Sequence, residues 1–184
     1  MPCLVVAVSG TPGSGKTTYA KFIASRYGLR YVSAGALFRE IAHQRGLDLL
    51  ELHRIAEELD EIDLAIEERS LKEAIRGGVV VDAHLAVWIL RDIAHVKIVF
   101  DAPLEVRARR IALRDSKSFG EALEEVLERE RSNRERARKY YGIDIRDYSV
   151  ADLVINTGLL SEESVKSILV SFFERLRAER PELF

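Results

Sequence analysis

The chain has a single cysteine, Cys3, so no disulfide can form within it. One cysteine in 184 residues is typical of proteins in a reducing compartment. Long apolar runs are also missing, since none reaches the roughly 20 residues of a membrane-spanning helix, and there is no signal-peptide pattern. These absences predict a cytoplasmic protein. Cys3 precedes a predicted buried strand and is expected to be a small core residue.

An excess of basic charge is absent as well. The 28 Lys and Arg residues nearly balance 30 Asp and Glu residues, which gives a net charge of -2. A nucleic-acid backbone is therefore not an expected partner. Arginine outnumbers lysine on the basic side, and its planar guanidinium suits phosphate contacts. The length and the 47% hydrophobic content predict one domain with one sizeable core.

Short apolar runs alternate with longer segments of helical periodicity. This alternation predicts an α/β fold in which a five-stranded parallel sheet carries helices on both faces. Strands are predicted at 4–9, 29–33, 79–82, 96–101 and 152–156. Helices are predicted at 15–27, 35–45, 48–58, 61–76, 103–114, 119–140 and 162–178. The last helix is amphipathic and is expected to pack on its own sheet, so we expect a monomer.

A complete phosphate-binding loop follows the first strand. It reads Gly10-Thr11-Pro12-Gly13-Ser14-Gly15-Lys16-Thr17. Glycines clear space for backbone N–H groups to converge on phosphate oxygens, and the Lys16 ammonium adds a positive charge. The Thr17 hydroxyl is placed to bind Mg²⁺. The motif predicts binding of a nucleoside triphosphate, with Thr18 completing the set of contacts. A Gly-rich turn without a ligand is the alternative.

Two further groups of polar residues follow predicted strands. Ser33, Gly35 and Arg39 lie where the second strand gives way to a helix, which is the edge where doubly wound sheets bind ligands. They form a candidate second phosphate site. Asp82 ends the run of three valines at 79–81 and is placed to hold Mg²⁺ through a water; its alternative role is to cap a turn or a helix.

Two long helical segments interrupt the alternation. The first occupies about 35–77, between the second and third strands. The second is a polar helix at 119–140, which Ser118 and Glu121 open as a capping box. Its rear half is almost wholly charged and is expected to bury almost nothing.

The chain resembles the archaeal-type cytidylate kinases, a branch of the nucleoside monophosphate kinases that bind ATP through a phosphate loop. The resemblance covers about 150 residues. It rests on the phosphate loop, Val32-Ser33-Ala34-Gly35, the segment from Asp82 to Trp88, Ala102-Pro103-Leu104-Glu105-Val106-Arg107, Tyr141-Gly142-Ile143-Asp144 and Asp152-Leu153-Val154-Ile155-Asn156-Thr157.

The resemblance implies a core of residues 1–34, 78–114 and 141–184, an acceptor-binding insert at about 35–77 and a mobile lid at about 115–140. It implies transfer of the ATP γ-phosphoryl group to CMP, and to dCMP, with Mg²⁺. Arg39 would clamp the acceptor phosphate, and Arg110 and Arg114 would border the adenine and phosphates. Arg129 and Arg136 would reach the transferred group from the lid.

Arg134 is a further lid candidate. The alternative for all the lid arginines is a solvated helix held by i,i+4 pairs such as Glu125–Arg129, Glu130–Arg134 and Glu135–Lys139.

Two positions depart from the family pattern. His84 stands where relatives often carry an acceptor-binding arginine, and it would hold a phosphate when protonated. Ala34 stands where bacterial relatives have a serine. These departures leave AMP or UMP open as the acceptor. A regulatory ATPase that transfers to no small molecule is the other alternative; a GTPase is disfavoured because no Asn-Lys-x-Asp motif is present. His43, His53 and His95 have no zinc-site spacing and are expected on surfaces or helix faces.

Overall fold

The computed structural model describes residues 3–184. Within that range the chain forms a sheet of five strands: β1 (Val5–Gly10), β2 (Arg30–Ser33), β3 (Val79–Asp82), β4 (Val96–Asp101) and β5 (Leu153–Asn156). The strand order is β2-β3-β1-β4-β5, and every neighbouring pair is parallel. The predicted fold class is confirmed, and the ends of each predicted strand lie within one residue of the observed ends.

The register brings the ends of the strands to one edge. Val8 of β1 and Ser33 of β2 both pair with Asp82 of β3, while Asp101 of β4 pairs with Asn156 of β5. The phosphate loop leaves β1 at this edge, so the polar residues that end β2, β3 and β4 surround it.

Eight α-helices occur in the described part of the chain: α1 (Lys16–Tyr27), α2 (Ala34–Arg45), α3 (Leu49–Glu58), α4 (Glu61–Ile75), α5 (Ala86–Ile89), α6 (Leu104–Asp115), α7 (Phe119–Tyr141) and α8 (Glu162–Glu179). Seven match predicted helices. The four-residue α5 was not predicted because one helical turn is too short to show periodicity. Two short 3₁₀ turns, Tyr148–Val150 and Pro181–Leu183, also escaped prediction.

Alternating side chains of β1 supply two cores, one on each face of the sheet. Val5 and Ala7 face a core that includes residues of α2, α3 and α4. Val6 and Val8 face the core formed with α1 and α8. The helix α8 contributes Val165, Leu169 and Phe173, so the expectation that it packs on its own sheet is confirmed. The phosphate loop continues from β1, the strand that contributes to both cores.

The polar helix α7 differs from its prediction in one respect. The capping box is present: the Ser118 hydroxyl accepts from the Glu121 N–H, and the Glu121 carboxylate accepts from the Ser118 N–H. The prediction that the rear half buries almost nothing is wrong. Asn133 and Arg136 are buried there, because α7 packs across both α6 and α3. A charged sequence does not reveal which of its residues meets an acidic partner on another helix.

Cys3 is exposed, so its prediction as a core residue is wrong. The strand begins two residues later, and the Cys3 thiol contacts the carbonyl oxygen of Glu182 at 3.3 Å, in the last turn of the chain. None of the helices described between residues 3 and 184 is both long and apolar enough to cross a membrane.

Candidate active site

Glycine is required in the phosphate loop by close contacts as well as by backbone angles. A Cβ atom on Gly10 would lie 2.1 Å from the carbonyl oxygen of Phe100, and one on Gly13 would lie 2.7 Å from that of Arg107. Gly13 also has a φ of +81°, a conformation that side chains disfavour. The loop therefore lies directly on β4 and α6, too close for a side chain at either glycine.

Side chains from the neighbouring strands hold the loop in place. The Thr11 hydroxyl donates to Asp101 at 2.6 Å, and the Thr157 hydroxyl donates to the Ser14 carbonyl at 2.7 Å. The buried Arg107 donates to the Ala102 carbonyl at 2.8 Å and pairs with Glu130 of α7 at 3.0 Å. None of these supporting roles was predicted, although Arg107 and Thr157 belong to the quoted family segments.

A cavity of about 970 Å³ opens over the loop. Its walls include seven of the residues predicted for the nucleotide site, namely Gly13, Gly15, Lys16, Thr17, Thr18, Arg110 and Arg114, whereas the predicted Gly10, Thr11, Pro12 and Ser14 do not line it. Arg110 is fixed by Thr157, to whose hydroxyl and carbonyl it donates at 2.8 and 2.9 Å. Arg114 pairs with Asp115 at 2.6 Å. Both arginines thus present guanidinium groups to this cavity from α6.

Thr17 and Asp82, the predicted metal residues, are in direct contact. The Thr17 hydroxyl donates to Oδ2 of Asp82 at 2.7 Å, and the Tyr31 hydroxyl donates to the same oxygen at 2.8 Å. Within residues 3–184, Oδ1 of Asp82 is buried and has no hydrogen-bond partner. Burial raises the pKa of Tyr31 to about 12, so this phenol keeps its proton. An orphaned carboxylate oxygen beside a hydroxyl suits Mg²⁺, which binds oxygen ligands and retains waters.

A second, narrow cavity of about 60 Å³ lies on the other side of Lys16, and we call it the slot. Predicted acceptor residues line it: Gly35, Arg39 and His84. Ser33 does not line it; its hydroxyl caps α2 by accepting from the Ala36 N–H at 3.2 Å. Ser33 therefore fixes the start of α2, and the open N–H groups of that first turn, together with Arg39, offer a site for an anion.

Burial disfavours a positive charge on both histidines of the slot. Burial, followed by the charge of Arg136, holds the pKa of His84 well below its usual range and lowers the pKa of His53 to about 2. Burial and the arginines around it oppose a positive charge on His84, while a phosphate would favour one, so a protonated His84 that holds a phosphate stays a prediction. His53 was expected on a surface or helix face; it lies on the buried face of α3, against Phe38 at 4.7 Å between ring centroids.

Lys16, Arg39 and Arg129 each line both cavities. Burial is the main cause that lowers the pKa of Lys16; Asp82 opposes this effect, while Arg129, Arg39 and Arg114 add to it. Such a concentration of cations is favourable only when an anion joins it. The junction of the two cavities therefore offers three cationic side chains to an anion.

A buried carboxylate orients Arg129. Glu125 accepts from Nη1 of Arg129 at 3.1 Å and from the Lys117 ammonium at 2.6 Å. The Glu125–Arg129 pair was expected in the alternative of a solvated helix, but the Arg129 side chain is only 14% exposed. The other two pairs of that alternative are replaced, because Glu130 pairs with Arg107 and Glu135 pairs with Arg131. Glu125 was not predicted as a site residue.

The remaining lid arginines lie apart from this junction. Arg136 lines the far part of the slot, where it donates to Asn133 at 2.9 Å and lies 3.4 Å from Asp63 of α4. Arg134 is exposed and borders a separate cavity beside Trp88.

Solved structures with this architecture include small-molecule kinases. A gluconokinase from Sinorhizobium meliloti superposes with a TM-score of 0.62 at 17% identity, covering 96% of this chain and 95% of that one. A shikimate kinase from Bacteroides thetaiotaomicron gives a TM-score of 0.58 at 16% identity, covering 93% and 98%. At these identities the likeness shows the fold, that of the phosphate-loop kinases.

Sequence relatives are much closer. The cytidylate kinase of Staphylothermus marinus is 47% identical over 96% of this chain and 99% of its own length. Those of Aeropyrum pernix and Ignicoccus hospitalis are 49% and 51% identical over 89% and 88% of this chain, and over 95% and 94% of their own. The profile of the Cytidylate kinase-like family matches residues 5–159. With this match and these identities, the chain belongs to the cytidylate kinase-like family, as its phosphate loop and acceptor segment predict.

Proposed function

We propose that this protein transfers the γ-phosphoryl group of ATP to the 5′-phosphate of CMP, and of dCMP, to give ADP and the nucleoside diphosphate. The relatives that this chain matches over nearly their full length are cytidylate kinases, which supports CMP as the acceptor. The large cavity over the phosphate loop would take ATP, and the slot would take the nucleoside monophosphate.

The observation that carries the proposal is the shared wall of the two cavities. Lys16, Arg39 and Arg129 face both, so a donor phosphate on one side and an acceptor phosphate on the other would meet the same three cations. A nucleotide switch needs no second phosphate site. A kinase needs this arrangement, because two anions must be brought together in line.

The reaction follows from that geometry. An oxygen of the acceptor phosphate forms a bond to the γ-phosphorus while the bond from that phosphorus to the β,γ-bridging oxygen breaks. The bond's electron pair leaves with ADP. The acceptor is already an anion, so no covalent enzyme intermediate is required. Lys16 and Arg129 would stabilise the charge that spreads over the transferred group, and Arg39 would hold the acceptor phosphate.

Thr17 and Asp82 would hold Mg²⁺, Asp82 through a water. When bound, the ion supplies positive charge to the β- and γ-phosphates. Tyr31 would keep the Asp82 carboxylate oriented, since its hydroxyl donates to Oδ2 and leaves Oδ1 free for the ion's water shell.

We further propose that residues 35–77 form the acceptor insert and that α7 and the turn before it form a lid. Arg129 lies on α7, so the catalytic set is complete only when this helix covers the cleft. Closure would also exclude water, a competing acceptor of the phosphoryl group.

An acceptor panel tests the proposal. ADP production is measured from ATP and Mg²⁺ with CMP, dCMP, UMP or AMP supplied separately, for the natural protein and for Lys16→Ala. We expect CMP-dependent turnover that Lys16→Ala lowers by at least about 10³-fold, in line with the loss of a transition-state cation. Lys21→Ala, an exposed lysine on α1, is the matched control. If only AMP stimulates ADP production, the acceptor is AMP and not CMP. If none of the four nucleotides stimulates it, the protein is a regulatory ATPase.

A further inference from the structure

A cavity of about 220 Å³, which we call the third cavity, borders the first half of the phosphate loop, from Gly10 to Pro12. It has no lining residue in common with the large cavity proposed for ATP. It shares four lining residues with the slot, and these lie between the two: Gly10, Pro12, His84 and Asn133. The transfer reaction proposed above uses none of the aromatic and basic side chains that complete its lining.

Two aromatic rings line the third cavity. Trp88 and Tyr148 lie 6.5 Å apart between ring centroids, with 46° between their planes. The indole N–H of Trp88 donates to the Asp147 carbonyl at 3.1 Å, which holds that ring in place. Burial, with Asp101 nearby, raises the pKa of Tyr148 to about 12, so its phenol stays neutral. Aromatic faces held in this way bind a flat ring by stacking or by edge contact.

Two arginines line the same cavity. Arg134 of α7 is exposed, and within residues 3–184 its guanidinium makes neither an ion pair nor a hydrogen bond. The Arg146 side chain is 71% exposed and has one ion pair, with Asp144 at 3.4 Å. A planar guanidinium with unused N–H groups matches the oxygens of a carboxylate or a phosphate.

The acidic residues of the lining are already paired. Glu130 forms an ion pair with the buried Arg107 at 3.0 Å, and Asp101 accepts from the Thr11 hydroxyl at 2.6 Å. By contrast, Nε2 of His84 is buried and has no hydrogen-bond partner among residues 3–184. The polar groups left to a ligand are therefore two guanidinium groups and an imidazole nitrogen, which favour an anion over a cation.

The volume of the third cavity sets the size of its ligand. It is smaller than the roughly 300–1,000 Å³ of sites for drug-sized molecules, so one ring with a small substituent fills it and a whole nucleotide does not. We propose that the third cavity is a separate binding site for a small planar anion, an aromatic ring that carries a carboxylate or a phosphate. The ring lies against Trp88 and Tyr148, and the anionic group pairs with Arg134 and Arg146. Such a ligand bridges α7 and the turn at Tyr148–Val150.

The fluorescence of Trp88 tests this directly, because Trp88 is the only tryptophan of the chain. Benzoate, phenyl phosphate and the neutral benzamide are titrated separately into the natural protein. We expect a saturable change with an anion, at a Kd of about 1 mM for a ligand of about ten non-hydrogen atoms. Benzamide should bind at least about tenfold more weakly, because it lacks the charge that the arginines pair with.

The lower of the two anion Kd values decides between carboxylate and phosphate. The absence of a saturable change with either anion up to about 20 mM, some twentyfold above the expected Kd, would overturn the proposal. Benzamide binding as tight as that of the anions would overturn it as well.

Two variants assign the anionic end of the site. Arg134→Gln and Arg146→Gln should each raise the Kd of the preferred anion by about 3- to 10-fold, since a charge-assisted pair at a partly exposed position is of modest strength. Arg138→Gln is the matched control, because Arg138 is exposed one turn further along α7 and does not line the third cavity. An unchanged Kd in both variants would refute the assignment.

CMP distinguishes the third cavity from the slot. At a CMP concentration that saturates ADP production, the Kd of the anion should change by less than about threefold, because Trp88, Arg134 and Arg146 do not line the slot. Loss of anion binding in CMP would make the third cavity an extension of the acceptor site and refute a separate one. If CMP supports no turnover, the proposed function fails, and the fluorescence titrations with the two variants still decide this inference.

Discussion

Glu125 is a buried carboxylate that orients Arg129, one of the residues proposed to act in the transfer step. It is 5% exposed and accepts from both Arg129 and Lys117, so it holds the Arg129 guanidinium at the junction of the two cavities. Its negative charge also favours the ionised arginine in a place where burial and two further arginines oppose it.

Glu125→Gln is therefore expected to lower kcat for CMP phosphorylation by about 10- to 100-fold, since a hydrogen bond to a charged group is worth about 1.5–3 kcal/mol. KM for CMP should change little, because Arg129 acts on charge that develops during transfer. Steady-state kinetics with Glu124→Gln, an exposed neighbour, as the control would check this. An unchanged kcat would mean that Arg129 is held by other contacts.

Buried groups of this kind could not be identified from the sequence. Lys16, Thr17, Arg39 and Asp82 follow from motifs whose spacing is fixed by local geometry. The buried ion pair of Asp63 with Arg136 follows from no motif, because the two residues are far apart in the chain. Only the packing of distant elements brings them together.

The contact between α7 and α3 depends on the end of α3. The Tyr140 hydroxyl lies 2.9 and 2.8 Å from the carbonyl oxygens of Ala56 and Glu57, and the Lys139 ammonium donates to the Glu57 carbonyl at 2.5 Å. These are carbonyls of the last turn of α3, which the helix itself leaves unpaired. The Arg131 guanidinium adds an ion pair with the Glu57 carboxylate at 3.0 Å.

Tyr140→Phe should loosen the rear of α7, because it removes a hydrogen bond worth about 1 kcal/mol. We expect amide hydrogen exchange in residues 131–141 to become about fivefold faster, without a matching change in the sheet. Tyr27→Phe is the control, since the Tyr27 hydroxyl contacts Glu174 of α8, away from α7. Uniform acceleration across the whole chain would indicate global destabilisation instead.

Element boundaries were predictable to within about one residue because each is marked by local chemistry. Gly28, Gly46 and Gly142 end α1, α2 and α7 in left-handed conformations, and Ser118 begins α7 with a capping box. The missed elements have no such marks. The single turn α5 follows from tertiary contact, since the N–H of Val87 donates to the buried Ser9 hydroxyl of β1.

Stability of the whole molecule should depend on pH through Glu67. Burial, with Asp63 nearby, raises the pKa of Glu67 to about 8 from an ordinary value of 4.5. Between pH 4.5 and about pH 8, Glu67 is protonated in the folded protein and ionised in the unfolded chain. Stability contributed by this group is therefore present at pH 4.5 and is lost as the pH rises toward 8.

Glu67→Gln removes this dependence. The variant should be more stable than the natural protein at pH 9 by on the order of 5 kcal/mol, and the difference should shrink toward zero as the pH falls to 4.5. Thermal unfolding across pH 5–9 would measure it, with Glu68→Gln as the control, because Glu68 is exposed and pairs with Lys72 on the surface. A constant difference at all pH values would place the Glu67 pKa near its ordinary value.

The shared wall of the two cavities has a consequence for inhibition. Because Lys16, Arg39 and Arg129 face both sides, the phosphates of the proposed donor and of the proposed acceptor would meet at the same three side chains. Two nucleosides joined by one polyphosphate bridge would therefore occupy both sites as a single ligand. Such a ligand loses its freedom of translation and rotation once instead of twice, and its second half binds at a high effective concentration. The shared cationic wall thus predicts that a ligand spanning both cavities binds more tightly than either nucleotide alone.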